Sequence, residues 1–119
     1  MNVKPVETKY GKIHSRDAVS VIQFFLTPAP FEIKIIATLW LPGCIPKQKD
    51  RKLVNIIFDF RKIDMISIYT LDKYPYEKHS ISSFDEVIGE NYGCKKRYIL
   101  STYDHVFDIV GDCEILFPA

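Results

Sequence analysis

The sequence predicts a mainly β fold, α+β only through one short helix, with about seven strands in an antiparallel sheet shaped as a meander, half-barrel or sandwich. Three observations predict it. Apolar and polar residues alternate through Phe31-Glu32-Ile33-Lys34-Ile35 and through Val54-Asn55-Ile56-Ile57-Phe58-Asp59-Phe60. Successive side chains on a strand face opposite sides, so this pattern puts one face on a core and one toward water. The stretches between such runs are short, and short connections favour antiparallel pairing because parallel strands need long crossovers. Only one stretch carries a helix-start signal.

Taken in order, residues 1–12 are polar and predict a loose N-terminal arm or a short edge element. Ala18–Leu26, rich in Val, Ile and Phe, predicts a strand. Thr27-Pro28-Ala29-Pro30 predicts a turn, since two prolines fix φ and remove donors. Phe31–Leu41 is the clearest strand, with Phe31, Ile33, Ile35, Ala37, Leu39 and Leu41 on one face. Trp40 and Ile36 lie on the other, which implies that this face is partly covered. Pro42-Gly43-Cys44-Ile45-Pro46 ends that strand, and Lys47-Gln48-Lys49-Asp50-Arg51-Lys52 forms a charged loop.

Leu53–Phe60 and Ile63–Thr70 predict either two strands joined by a tight turn at Arg61-Lys62 or one continuous bulged strand. Leu71–Ser80, with Tyr74-Pro75-Tyr76, predicts an exposed loop. Ser83 and Glu86 stand at the spacing of a capping box, which predicts a short helix over about 83–90, ended near Gly89 or Gly93. Lys96–Thr102 predicts a strand. Tyr103–Val110 and Cys113–Phe117 predict a closing hairpin through Gly111-Asp112, a pair suited to positive φ.

Composition bounds the function. The 119 residues suffice for one domain, 1–119, and are too few for two ordinary ones. With 47% apolar residues and a net charge of +1, the chain has the makings of a core and lacks the basic excess of a nucleic-acid-binding domain. Charge is uneven: residues 1–55 carry nine Lys/Arg against four Asp/Glu, a net +5, and residues 56–119 carry seven against eleven, a net −4. An acidic half can steer association with a basic partner. Cys44, Cys94 and Cys113 are odd in number and widely spaced, without a Cys-x-x-Cys pair. Neither a zinc site nor a disulfide framework is expected, and a reducing cytoplasm fits. The segment Met1–Glu7 has no apolar h-region, and no run approaches the length of a transmembrane helix, so neither a signal peptide nor a membrane span is expected.

Chemistry-bearing residues are dispersed. His14-Ser15-Arg16-Asp17 gathers triad residue types in sequence, but triad members converge from separate elements. Asp104 and His105 are neighbours and would point to opposite faces of a strand. No catalytic residue, metal site or cofactor is therefore assigned. Asp104 and Asp108 can share the outward face of the strand after Tyr103, and Asp85, Glu86 and Glu90 crowd the expected helix. Such acidic residues can pair with the Lys and Arg of a basic protein. Tyr74 and Tyr76 add interface anchors of large contact area and small entropic cost. The expected partner-binding set is Asp104, Asp108, Asp85, Glu86, Glu90, Tyr74 and Tyr76. An exposed edge strand could also pair with a second copy, giving a homodimer.

Three segments carry a family resemblance. His14-Ser15-Arg16-Asp17-Ala18-Val19-Ser20-Val21 resembles the opening of the immunity protein 50-like group, with His-Ser-Arg-Asp here in place of a tight His-Asp pair. Val54–Phe60 followed by Ile63-Asp64-Met65-Ile66-Ser67-Ile68 is similar to that group's paired strands, and the chain closes similarly in Cys113-Glu114-Ile115-Leu116-Phe117. The resemblance is to small β-rich bacterial immunity proteins of polymorphic toxin and contact-dependent growth inhibition systems. It implies a cytoplasmic, non-enzymatic protein that binds a cognate toxin C-terminal domain, often a nuclease, and occludes its active site or substrate surface. No membrane or nucleic-acid partner is implied. The alternatives are a β-rich interaction or oligomerisation module of another system and a small acid–base enzyme.

Overall fold

Alternation governs the architecture from the first long hairpin onward. In the computed structural model, which describes residues 1–50, 52–78 and 81–119, every second residue along 33–39, namely Ile33, Ile35, Ala37 and Leu39, is fully buried, while Lys34 and Trp40 face out. The strands are β1 (Val3–Pro5), β2 (Glu7–Thr8), β3 (Gly11–Ile13), β4 (Val19–Pro28), β5 (Phe31–Trp40), β6 (Cys44–Ile45), β7 (Leu53–Thr70), β8 (Phe84–Val87), β9 (Lys96–Ser101) and β10 (His105–Leu116). Short 3₁₀ turns at Arg16–Ala18, Leu41–Gly43 and Leu71–Lys73 link some of them. A seven-stranded antiparallel sheet runs β1-β8-β9-β10-β7-β5-β4, and a three-stranded sheet runs β2-β3-β6.

The large sheet curls without closing into a barrel. β5 pairs only with the first half of β7, from Trp40 opposite Leu53 to Ile33 opposite Phe60. β9 pairs only with the first half of β10, Val106 to Gly111. β7 and β10 run together through the bend between these halves, with a register shift between Val110 and Asp112. Lys62 there has φ of +51°. Gly111 is needed at the bend because a Cβ would stand 2.9 Å from the Arg61 carbonyl oxygen and 3.3 Å from the Ile63 Cα. The curl brings rings from non-adjacent strands together: Phe58 of β7 lies edge-on to Phe84 of β8 at 5.2 Å, and Phe24 of β4 meets Phe107 of β10 at 5.7 Å. Ile33, Ile35, Ile56, Phe58, Phe60, Leu100 and Ile109 complete the core between the halves.

The sheet corrects several sequence expectations. The helix over 83–90 does not form: Phe84–Val87 is a strand paired on both sides, with β1 and with β9. Two ladders and the burial of Phe84 outweigh one capping interaction of about 1 kcal/mol. The closing hairpin is instead one strand, β10, because Gly111 serves a bulge and not a turn. Of the two readings of Leu53–Thr70, the continuous strand holds. Of the two readings of residues 1–12, the short edge element holds and the loose arm does not: β1 is an edge strand of the large sheet, and β2 and β3 form a hairpin in the small one. Arg51 of the charged loop and His79 lie outside the described residues.

Candidate interaction surface

After β7, residues 71–78 lie against the outer face of the β8-β9-β10 half, and the next strand of the sheet begins at Phe84. Its apolar residues explain part of this course. Leu71 and Tyr74, with Met1 and Val3, pack on a second small core of Val87, Ile99 and Val106. Two buried carboxylates explain the rest. Asp108, 1% exposed, accepts a bidentate pair from Arg97 Nε and Nη2 at 2.8 and 2.7 Å, and its Oδ2 accepts from the Tyr74 hydroxyl at 3.0 Å. Asp85, also buried, accepts from Lys78 Nζ and from the Ser82 hydroxyl. Each carboxylate stands on a strand: Asp108 ties down Tyr74, and Asp85 ties down Lys78 and Ser82. A buried charge is tolerated only when paired and hydrogen-bonded, so each cluster selects one arrangement of the segment.

Proton affinities follow from this geometry. Burial, reinforced by the Asp108 carboxylate, pushes the Tyr74 hydroxyl well above the ordinary tyrosine value. The hydrogen bond to Asp108 raises Arg97, outweighing its desolvation. Arg97 also lies over the Tyr76 ring at 5.3 Å and reaches Glu90 at 3.3 Å. The rings of Tyr69, Tyr74 and Tyr76 form a chain with centroid separations of 5.3 and 5.6 Å.

Of the residues expected to bind a partner, the structure thus turns three inward. Asp108 and Asp85 are buried and paired, and the Tyr74 hydroxyl is committed to Asp108. The shared outward face expected for Asp104 and Asp108 does not exist: Asp104 precedes β10 and is exposed, whereas Asp108 sits under the 71–78 segment. Glu86 is largely covered and lies 3.8 Å from Lys4 and 3.3 Å from Lys96. Tyr76, Glu90 and Asp104 remain exposed. The Leu71 N–H donates to the Asp104 carbonyl at 3.1 Å, which seats the β9–β10 connection beside the segment. Tyr103 on that connection is 60% exposed and Tyr76 is 52% exposed. Asp72, Tyr76 and Glu77 of the segment and Tyr103 and Asp104 of the connection are the exposed residues along the rim of these two stretches. Tyr103, Arg97 and Lys78 had been given no role from sequence. The alternation Arg97-Tyr98-Ile99 was the available signal that Arg97 shares a face with a core residue.

Other candidate groups are not brought together. The His14 N–H donates to the Gly43 carbonyl, and the His105 ring lies 6.2 Å from that of Phe107. Among the described residues, no group of three or more His, Cys, Asp and Glu could hold a metal ion. No helix among them is long and apolar enough to cross a membrane. Cys113 lines a groove of about 530 Å³ with Val6, Phe84, Tyr98 and Phe117. Burial, then the Asp59 and Glu114 carboxylates, pushes its thiol up to about 12, the reverse of an activated nucleophile. Burial likewise pushes Tyr98 up to about 12.

These two groups, together with Tyr74 and the buried Cys44 thiol, which burial also raises, give an alkaline instability. The ordinary values are 9.0 for the thiol and 10.0 for the phenol, so above about pH 9 the unfolded chain releases protons that the folded chain retains. Stability is whole below that point and falls as pH rises toward about 12, because the unfolded state binds fewer protons there. Urea midpoints should drop between about pH 8 and about pH 11. Tyr98→Phe and Cys113→Ser should each flatten the decline, and unchanged slopes in both would contradict the assignment.

Compared with known proteins, the chain matches no protein-family model, no curated protein and no solved structure.

Proposed function

We propose that this protein is a stoichiometric binder and not a catalyst: an immunity protein that occupies its cognate toxin C-terminal domain in the cytoplasm and blocks the active site or substrate surface. One observation carries the reading. Exposed Asp72, Tyr76 and Glu77 stand on residues 71–78, which the buried clusters Asp108–Arg97–Tyr74 and Asp85–Lys78–Ser82 hold, and exposed Tyr103 and Asp104 stand on the β9–β10 connection that Leu71 bonds to. A surface already fixed in its binding shape loses less entropy on association. Tyr76 and Tyr103 supply contact area, and Asp104, Asp72 and Glu77 supply charge complementary to a basic nuclease. The net −4 of residues 56–119 favours the same kind of partner. The toxin itself comes from the sequence resemblance; the rim supports the more general part, recognition of a basic protein.

The test is co-expression in bacteria with the toxin domain encoded immediately upstream. The wild-type protein should restore growth. The double variant Tyr76→Ala/Asp104→Lys should fail to do so at equal abundance. Growth arrest with the wild-type protein present would contradict the reading, as would full rescue by the variant.

A further inference from the structure

The strand at the far end of the large sheet is unusually bare. β4 ends the sheet next to β5, and among the described residues its other side has no neighbouring strand. Among the described residues, backbone hydrogen bonds from outside the β4–β5 ladder reach β4 only at Val19, whose carbonyl accepts from the Tyr103 N–H at 3.0 Å and whose N–H donates to the Arg16 carbonyl. The strand is also apolar on both faces. Phe24 and Leu26 stand opposite Ile35 and Ile33 on the core side, and Phe25 stands opposite Lys34 on the outer side. Ile22 is 64% exposed and Phe25 47%, while Phe24, Leu26 and nearby Phe31 each expose a third or more.

Natural edges are normally guarded by lysines, inward charges, prolines, bulges, covering loops or short length; β4 has a bulge near its start and a proline at its last residue, and none of these devices between Gln23 and Thr27. β4 spans ten residues, Val-Ser-Val-Ile-Gln-Phe-Phe-Leu-Thr-Pro, without one charged side chain. Its register shift lies between Val21 and Gln23, which leaves Gln23–Pro28 regular.

We infer that β4 pairs antiparallel with β4 of a second copy about a two-fold axis, so that one sheet continues through both molecules. Three features select a second copy as the occupant. First, an uncharged strand meets itself without like-charge repulsion, whereas it offers nothing to the basic partner that the acidic rim suits. Second, a two-fold antiparallel register sets apolar residues against apolar residues on both faces. With Phe25 opposite Phe25 of the second copy, Phe24 meets Leu26 of that copy. Third, the five apolar side chains expose roughly 400 Å² per copy, taking aromatic side chains at about 150–250 Å² when fully covered. That is as large as the biggest apolar patch of a typical monomer, about 300–600 Å². It also supplies about half of the roughly 800 Å² per partner of a standard interface. The remainder is backbone and polar flank, which describes a small dimer that dissociates on dilution. This inference does not rest on the toxin-binding reading, since it concerns the protein alone.

Sedimentation of the purified protein over a roughly hundredfold concentration range should show conversion from one-copy to two-copy mass. Phe25→Lys, at an exposed outward position, should shift the dissociation constant at least about tenfold toward monomer. Amide exchange of the unsubstituted protein supplies a measure free of any folding defect: protection of residues 21–27 should rise with concentration. A one-copy mass throughout, a dimer indifferent to Phe25→Lys, or concentration-independent exchange at 21–27 would each overturn the pairing. If those amides were protected only on adding the toxin domain, the edge would belong to that partner and the dimer would be refuted, with the toxin-binding reading intact.

Discussion

Replacing Asp108 with Ala should cost about 3–5 kcal/mol of stability and release the 71–78 segment from the sheet. Three groups set the size of the effect. The Arg97 guanidinium, itself largely covered, loses both arms of its bidentate pair, and the Tyr74 hydroxyl loses its acceptor. A cation left without its buried partner is more costly than the pair was stabilising, which is why removing one member of such a pair has a large effect. Asp108→Asn keeps the volume and one acceptor oxygen but removes the charge, so its loss should be smaller and of the same sign. Urea denaturation gives the magnitude. Amide exchange across 71–78 gives the location, with protection falling there before the core opens. The exposed Asp104 provides the contrast, since Asp104→Lys should change stability by no more than about 0.5 kcal/mol. If Asp108→Ala were equally mild, Asp108 would not be what holds the segment.

Phe58→Ala should be comparably damaging, at about 3–5 kcal/mol. Phe58 is fully buried in the middle of β7, opposite Ile35 on one side and Ile115 on the other. Its ring also meets Phe84 at 5.2 Å across the curl of the sheet. Truncation removes the transfer energy of the ring and opens a cavity between two halves that share a continuous backbone and cannot easily collapse together. The loss should appear in the denaturation midpoint with the slope unchanged. A cost below about 1 kcal/mol would show that Phe58 faces the wrong side of the strand, since a one-residue slip exchanges the faces.

The phase of the long strands was legible because alternation is a local signal. Ile33, Ile35, Ala37 and Leu39 could be placed on one buried face from Phe31–Leu41 alone, and Ile35 and Phe58 could be named as core. What failed were places where a local signature serves two structures. Ser83 and Glu86 have capping-box spacing, yet Ser83 is buried just before β8, and Glu86 in β8 lies beside Lys4 and Lys96. Gly111-Asp112 suits a hairpin turn, but the same freedom accommodates the bend of β7 against β10. The candidate surface was legible only in part. Asp104, Tyr76 and Glu90 are exposed as their composition suggested. Asp85 and Asp108 were not separable from them in sequence, because a carboxylate's availability depends on which cation the sheet register sets beside it. Arg97 lies eleven residues before Asp108 and reaches it only through the pairing of β9 with β10.

Recognition through the Tyr76–Asp104 rim is tested most directly by titrating the upstream toxin domain calorimetrically into the wild-type protein and into Tyr76→Ala/Asp104→Lys. The predicted result is one-to-one binding by the wild-type protein, weakened at least about tenfold in the double variant at unchanged melting temperature. No binding by the wild-type protein, or equal affinity for both, would contradict it.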